Sequence, residues 1–391
     1  MHREINLPEV NKETQAQIIS LVSDFVRRDV LPVVKDLEAK DIYPEDLIDQ
    51  MAELGLFGIT IPQQYGGMGL DHTTFAMIFE ELSKGWMSLT GPIGTHHVMA
   101  SIISNFGTPT QKETWLPKMA SGEIRGGLGL TEPSGGSDIQ AIQTKAVKND
   151  DHYEITGSKM FITNGDHGHA FAILAKTDEK ANPPYKGMSC FIVSKDVKGF
   201  SVGKKLDKLG YKGVSTCELI FQAAKVPETE LIGQIEGKGF GQVLSALESG
   251  RINVAARAVG VAQAAFEDAI KYSQTRETFG KPISSHQAIQ LKLADMATKI
   301  QAARLLTYEA ANDKDNGKRV DLQSGMAKLF ASEMCAYVAM ESMRIHGGYG
   351  YIKDLPVERY YRDAPLMIIG EGTNEILSLL IAKRLLDEYK L

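Results

Sequence analysis

The spacing of apolar residues changes twice along this chain of 391 residues, and this double change constrains the fold more than any other feature. Up to about residue 123, apolar side chains recur at helical spacing, as Leu47, Met51 and Leu54 do. From 126 to about 235, short β-forming runs alternate with turn residues, and helical spacing then returns. We therefore predict a multidomain α+β chain: an N-terminal all-α domain (1–125), a middle antiparallel β domain (126–236) and a C-terminal four-helix bundle (237–391).

Local signals place several elements within these domains. Pro44 near the start and Gly55 near the end are typical of helix boundaries. Thr108, Pro109 and Gln111 form the pattern of a capping box at the start of a second helix. The predicted strands include 152–156, 171–175, 190–193 and 217–221, and the predicted long helices lie near 240–273, 286–315, 320–345 and 372–389.

Composition argues against several classes of partner. The chain has 43 Lys and Arg against 49 Asp and Glu, a net charge of −6, and no long basic run, so we expect no nucleic-acid partner. No apolar run reaches the roughly 18 residues that suggest a membrane span. Met1–Val10 carries charges and no apolar core, which predicts no signal peptide. We expect a cytoplasmic protein or, in a eukaryote, one of the mitochondrial matrix.

Residues that often hold metals are poorly placed for that role. Cys190, Cys217 and Cys335 are far apart and form no CxxC pair, so a disulfide framework or zinc site is not expected. His96 and His97 are adjacent, and neighbouring residues do not share one face of a helix. We predict no metal centre.

Common nucleotide and hydrolase motifs are also missing from the sequence. Gly126–Gly129 and Gly347–Gly350 are rich in glycine, but neither completes GxGxxG, and no P-loop or GxSxG elbow is present. The segment Leu130–Asp138 follows a predicted strand and is rich in turn formers. From the residues alone it is either a surface turn or a loop whose backbone donors meet a polar cofactor.

Single residues leave similar alternatives open. Glu371, taken alone, could simply complement a helix dipole. Arg251 could form a helix-surface pair with Glu248, three residues earlier. Taken alone, Arg276 is typical of a solvated surface charge, and Phe161 is typical of an aromatic side chain in a hydrophobic core.

Seven segments in a fixed order narrow these alternatives. They are Leu130–Asp138, Lys159–Gly165, Arg276–Lys281, His286-Gln287, His346–Tyr351, Arg362–Ala364 and Glu371–Ile376. Over nearly its whole length the chain thus resembles the acyl-CoA dehydrogenase family, and the α–β–α order resembles that family's fold. The resemblance implies noncovalent FAD as the cofactor.

The resemblance also assigns cofactor-binding residues. Leu130, Thr131 and Ser137 would lie along a flavin loop, while Phe161, Ile162 and Thr163 would face the isoalloxazine ring. In the family the site is completed across a subunit interface, usually in a homotetramer. Arg276, Phe279 and Gln287 resemble residues that reach FAD in a neighbouring subunit. The other cofactor contacts would be Arg344, Gly347, Gly348, Thr373 and Glu375.

Glu371 resembles the family's catalytic base, which takes the α-proton of an acyl-CoA thioester while the β-hydrogen leaves as hydride. Some relatives place the base just before an arginine on an earlier helix. Here the residue before Arg251 is Gly250, which cannot accept a proton, so only Glu371 remains. The implied substrate-binding residues are Ser137, Glu248, Arg251, Gly370 and Gly372.

The implied function is an FAD-dependent acyl-CoA dehydrogenase of fatty acid β-oxidation, giving a trans-2-enoyl-CoA and passing electrons to electron-transferring flavoprotein. The alternatives are an acyl-CoA oxidase or another reaction on the same fold, a catalytically silent acyl-CoA or flavin-binding protein, and a structural scaffold. Gly370 would leave room for a branched or cyclic acyl group. Arginines that define dicarboxylate substrates in the family are not evident between Trp86 and His97, which disfavours glutaryl-CoA.

Overall fold

Two groups of helices flank a central sheet in the computed structural model, which describes residues 10–390. Of the segment Met1–Val10, for which no signal peptide is predicted, all but Val10 lies outside the described residues. Leu391 also lies outside them. The first group comprises α1 (Lys12–Phe25), α2 (Val34–Ala39), α3 (Glu45–Glu53), α4 (His72–Trp86), α5 (Thr90–Phe106) and α6 (Pro109–Ala120).

The predicted helix boundaries in this first group are confirmed. Helix α3 lies between Pro44 and Gly55, and Gly55 takes a φ of 75°, which favours glycine. At the start of α6 the backbone N–H of Gln111 donates to the Thr108 hydroxyl at 3.2 Å. The Thr108 N–H donates back to the Gln111 side chain at 3.0 Å, which completes the capping box.

The central sheet is mainly antiparallel, as predicted. Its strands are β1 (Gly126–Gly129), β2 (Lys145–Asn149), β3 (His152–Thr163), β4 (Ala170–Lys176), β5 (Met188–Ser194), β6 (Phe200–Lys205) and β7 (Thr216–Pro227). Their order is β1-β4-β2-β3-β7-β6, and β5 pairs with the other edge of β4. One feature differs from the prediction: β4 runs parallel to β1, and parallel to β2 at a single residue pair. The long connection through β2 and β3 permits the parallel β1–β4 pairing.

The C-terminal region contains the four predicted long helices and one more. They are α7 (Gly239–Thr275), α8 (Gln287–Asp315), α9 (Asp321–His346), α10 (Val357–Ile369) and α11 (Asn374–Glu388), with a small hairpin of β8 (Glu277–Thr278) and β9 (Lys281–Pro282) after α7. Helix α10 was not predicted, because Pro365 in its interior reads as a helix breaker. Over residues 10–390 no single helix is long and apolar enough to cross a membrane, although the bent pair α10–α11 meets both requirements jointly.

The helical regions and the sheet share their cores. One cluster of buried apolar residues joins α4 to α7, α8 and α9, and a second joins α5 and α7 to β4 and β5. A third lies within the sheet. Helices α5 and α7 therefore stand between the two helical regions and the sheet. The fold class is confirmed, whereas the domain boundaries at 125/126 and 236/237 stay a prediction.

Candidate active site

Glu371 lies in the turn between α10 and α11, three residues before α11 begins. Its backbone has a φ of 55°, an uncommon value for a residue with a side chain. The Oε2 atom is buried and has no hydrogen-bond partner among the described residues. Burial raises the pKa of Glu371 above its ordinary value, although the positive charges of Arg257, Arg251 and Lys328 act in the opposite direction. Such a carboxylate is well suited to accept a proton.

Lys328, on α9, holds this turn in place from behind. Its ammonium group is buried and donates to the carbonyl oxygens of Ile368 and Gly372 at 3.0 and 2.8 Å. A third bond, to Asn374 Oδ1, is 2.9 Å long. The three bonds lie on either side of Glu371 along the chain. Burial lowers the pKa of Lys328 to about 8, while Glu371 partly opposes that shift.

Helix α7 faces the Glu371 carboxylate through Gly250. A Cβ atom on residue 250 would overlap Oε2 of Glu371, so the helix can approach only because this position is glycine. Arg251 is buried beside it, and its Nε atom has no partner among the described residues. Glu248 is also buried and forms an ion pair with Lys314 of α8 at 3.3 Å. The predicted base, Glu371, therefore lies next to the segment of α7 that carries the predicted CoA-binding residues.

The predicted flavin loop is tied to strand β3 by a buried ion pair. Lys159 is completely buried, and its ammonium group lies 2.8 Å from Glu132 Oε1 and 3.2 Å from the Leu130 carbonyl. The backbone N–H of Met160 also donates to the Thr131 carbonyl at 2.8 Å. Burial lowers the pKa of Lys159 to about 8, against the opposing effect of Glu132. Leu130 and Thr131 are half-buried along this loop, and Ser137 is exposed at its far end.

An aromatic side chain projects from β3 next to this loop. Phe161 sits in an irregularity of the β3–β7 pairing, has a φ of 62° and is 64% exposed. Ile162 is buried beneath it, and Thr163 is half-buried at the strand end. Both polar atoms of the neighbouring Asn164 side chain are buried without a partner among the described residues. An open aromatic face beside unpaired polar atoms fits a flat group with an apolar face and a polar edge.

Most of the other residues predicted to contact the cofactor face solvent in the single chain. Arg276, Gln287, Gly347, Gly348 and Glu375 are exposed, and Phe279, at the β8–β9 hairpin, is 95% exposed. Arg344 is exposed and paired with Glu341 at 2.5 Å. The Thr373 hydroxyl instead caps α11 by accepting from the Ile376 N–H at 3.4 Å. Gly370 and Gly372 flank Glu371 in its turn.

His96 and His97 both form hydrogen bonds with the backbone of neighbouring segments. His96 bonds the Phe57 carbonyl and the Gly126 N–H, both at 3.0 Å, and links α5 to β1. His97 bonds the Leu56 carbonyl at 3.0 Å, and burial lowers its pKa to about 4. Within residues 10–390 no group of three metal-ligating side chains is present.

Comparisons with known proteins agree with this geometry. Three family models match successive parts of the chain: the acyl-CoA dehydrogenase N-terminal domain at 12–123, the middle domain at 127–224 and the C-terminal domain at 237–386. The chain belongs to the acyl-CoA dehydrogenase family. It is accordingly an oxidoreductase with a helical N-terminal domain, a β domain and a helical C-terminal domain.

Curated relatives and solved structures cover almost the whole chain. It is 43% identical to an acyl-CoA dehydrogenase of Bacillus subtilis over 95% of this chain and 98% of that protein. It is 38% identical to the mitochondrial short-chain specific acyl-CoA dehydrogenase of Bos taurus, over 100% of this chain and 93% of the other.

Among solved structures, butyryl-CoA dehydrogenase from Megasphaera elsdenii is 39% identical, with a TM-score of 0.93, over 97% of this chain and all of that one. A chain in a structure described as the electron-transferring flavoprotein of Acidaminococcus fermentans is 41% identical. Its TM-score is 0.92, and the match covers 97% of this chain and 100% of the other.

Three site residues escaped the sequence analysis: Lys159, Lys328 and Arg257. Lys159 lies within a recognised segment, but there the resemblance assigns roles only to Phe161, Ile162 and Thr163. Lys328 and Arg257 are single charges on helices rich in alanine, and no local pattern marks them as buried. Only their neighbours in space reveal a role.

Proposed function

We propose that this protein is an FAD-dependent acyl-CoA dehydrogenase in which Glu371 removes the α-proton of the thioester. The observation that carries the proposal is the buried, unpartnered Oε2 of Glu371, which faces Gly250 and is influenced by three cations. A structural carboxylate in such a place would be paired. An acid–base group, by contrast, needs an unoccupied lone pair directed at its substrate.

In this mechanism the chain's own residues orient and activate the base. Lys328 fixes the turn on both sides of Glu371, so that the carboxylate meets the substrate in one orientation. Desolvation makes the carboxylate more basic, and the nearby cations act against that shift and favour the ionised form. The backbone N–H of Glu371 would polarise the thioester carbonyl. When bound, FAD supplies the acceptor for the hydride from the β-carbon.

The cofactor would lie along the predicted loop and strand. Leu130, Thr131 and Ser137 would follow its length, and Phe161, Ile162 and Thr163 would contact the flavin ring. Arg276, Phe279 and Gln287, which are exposed between the end of α7 and the start of α8, would reach the cofactor of a neighbouring subunit in a homotetramer. The further cofactor contacts would be Arg344, Gly347, Gly348, Thr373 and Glu375.

The CoA portion would enter beside the first turns of α7. Arg251 and Glu248 are buried there, next to Gly250 and therefore next to the base. Ser137 and the two glycines that flank Glu371, Gly370 and Gly372, would complete the substrate contacts. The thioester would then lie between α7 and the Glu371 turn.

Electron-transferring flavoprotein would be the electron acceptor. The similarity to a chain in the Acidaminococcus structure supports this partner. Relatives from a bacterium and from mitochondria support a cytoplasmic or matrix location. The similarity to a butyryl-CoA dehydrogenase and to a short-chain enzyme favours a short acyl group.

The test is the visible spectrum of the purified protein, followed by anaerobic addition of a panel of acyl-CoAs. Bleaching of the flavin bands together with formation of enoyl-CoA would confirm the proposal. A flavin spectrum that no thioester bleaches would keep the family and exclude this reaction. If reduced enzyme reacts rapidly with oxygen, an oxidase is the better description.

A further inference from the structure

Arg257 is a buried guanidinium group on α7 that the mechanism above uses only through its charge. Only 8% of the residue is exposed. Its Nε donates to Asn253 Oδ1 at 2.6 Å and its Nη2 to the Thr90 carbonyl at 3.0 Å. Its Nη1 lies 3.5 Å from the Tyr211 hydroxyl, and its Cζ is 5.8 Å from the centre of the Phe79 ring. Arg257 thus lies between α7, α5 and the loop before β7.

Two glycines on α5 make room for this arrangement. A Cβ atom on Gly94 would overlap Nη2 of Arg257, and one on Gly91 would overlap the Tyr211 hydroxyl. The Arg257 guanidinium group and the Tyr211 phenol therefore fill the space beside α5 that these two glycines leave open. A long hydrocarbon chain could not run through it without displacing them.

Arg257 has no carboxylate within ion-pair distance among residues 10–390, although its charge acts on Glu371. Its hydrogen bonds to the protein go to an amide, a carbonyl and a hydroxyl. The Nδ2 atom of Asn253, which is 1% exposed, has no hydrogen-bond partner among the described residues. A buried cation that no carboxylate contacts directly and an orphaned amide are costly, and an external acceptor would relieve both.

The position of Arg257 along α7 indicates which part of a substrate it would meet. Residues 250 and 257 are two turns apart and so share one face of the helix, about 10 Å apart along its axis. Glu248, where the proposed function places part of CoA, lies on the other side of Gly250 along the chain, and Arg251 follows Gly250 about 100° further around the helix. An acyl group whose α-carbon is at Glu371 and which extends away from Glu248 points toward Asn253 and Arg257.

We propose that Arg257, with Asn253, binds a carboxylate at the far end of a short acyl chain, so that the substrate is a dicarboxylic acyl-CoA. This inference rests on the proposed function, from which it takes the direction of the acyl group. It revises the expectation from the stretch Trp86–His97, because the arginine comes from α7 and lies against Gly94 of that stretch. The reaction itself is unchanged; only the identity of the acyl group is added.

The test compares acyl-CoAs of equal length with and without a terminal carboxylate: succinyl with butyryl, glutaryl with pentanoyl, and adipoyl with hexanoyl. Binding is measured by calorimetry with the flavin-loaded Glu371→Gln variant, and turnover with the unsubstituted enzyme. In at least one pair the carboxylate form should bind at least about 30-fold more tightly, as a charge-assisted contact predicts. Arg257→Gln should abolish that preference, and Arg257→Lys should keep part of it.

A matched control is Arg304→Gln, because Arg304 is also a partly buried helix arginine but pairs with Glu80 at 2.9 Å. It should leave the ratio within each pair unchanged. Tighter binding of the plain acyl-CoA in all three pairs would overturn the inference. So would an equal loss for both members of each pair in Arg257→Gln, since that result describes a structural residue. If no thioester bleaches the flavin, the proposed reaction fails, and the binding ratios still decide the role of Arg257.

Discussion

The Glu371 carboxylate occupies the space that a side chain on Gly250 would need. Glu371 comes from a turn after α10, whereas Gly250 is in the first half of α7, so the two residues meet only through the tertiary fold. Most other helix positions tolerate alanine better than glycine. Position 250 should be an exception, because an added methyl group would displace the Glu371 carboxylate oxygen.

We therefore expect Gly250→Ala to lower kcat at least about tenfold, since a displacement on the order of 1 Å can cost a factor of 100. Gly241→Ala is the control, because Gly241 is on the same helix and a Cβ atom there would contact nothing within 4 Å. Stopped-flow measurement of flavin reduction reports both variants. Equal rates for Gly250→Ala and the unsubstituted enzyme would refute the geometric argument.

Replacement of Glu371 by glutamine should remove the base while keeping its shape. Flavin reduction by acyl-CoA should slow by a factor of about 100 to 10,000, the usual contribution of a general base. Ligand binding and flavin content should change little, because Oε2 makes no hydrogen bond that the amide would lose. Glu388→Gln, at an exposed position on α11, is the matched substitution and should keep its turnover.

The pH dependence of kcat/KM should reflect the positive charges around Glu371. Because burial raises the pKa of Glu371, kcat/KM should fall as the pH falls through that raised value, where the carboxylate becomes protonated. Arg257, Arg251 and Lys328 all lower this pKa. Lys328→Met removes one of the three cations, so the acid limb of the profile should move to higher pH.

Lys328→Met should also reduce kcat itself, because the turn around Glu371 loses its three hydrogen bonds. Lys299→Met provides the comparison, since Lys299 is only half-buried and pairs with Asp295 on its own helix. An acid limb that stays fixed in Lys328→Met would show that the lysine positions the turn without tuning the base.

The Lys159–Glu132 pair should be important for stability and for flavin retention. Lys159→Met leaves Glu132 buried without its cation, and removal of one partner of a buried pair costs about 3–5 kcal/mol. The double variant with Glu132→Gln should recover part of that loss. Lys145→Met removes a cation from an exposed pair with Glu179 and should change the free energy of unfolding by no more than about 1 kcal/mol. Urea denaturation checks all three.

Phe279 should matter only in the assembled enzyme. It is 95% exposed in the single chain, which is unusual for a phenylalanine. Phe279→Ala should weaken flavin retention on dilution and shift the mass measured by light scattering below that of a tetramer. Val147→Ala, at another exposed apolar position, should do neither. A Phe279→Ala variant with full flavin content and unchanged mass would contradict the shared site.

Local chemistry explains why much of the fold could be predicted. Thr108 and Gln111 satisfy each other within a few residues, so their pattern is visible in the sequence. Strand β1 is harder: it reads Gly-Gly-Leu-Gly, with no β-branched residue, and its parallel pairing with β4 depends on 40 intervening residues. Helix α10 was missed because Pro365 stands inside it.

The residues of the candidate site also divide into those that local sequence reveals and those that only the tertiary fold reveals. The resemblance located Glu371 and the flavin loop, because both are carried by continuous segments. Lys328 and Arg257 become informative only when burial and partners are known, since a lysine or arginine on a helix is normally solvated. Sequence reasoning also sought a dicarboxylate-binding arginine only between positions 86 and 97, whereas Arg257 lies on α7 and meets α5 only in the folded chain.

The turn that carries Glu371 is held by Lys328 from α9, and not by the residues proposed to surround the acyl group. Positions 91, 94, 253 and 257 contribute none of the three bonds that hold the turn. Selection could therefore exchange those residues, and with them the accepted acyl group, while the proton-transfer apparatus stays intact. Such independence would allow one ancestral fold to diversify among many thioesters by substitutions in the pocket wall alone.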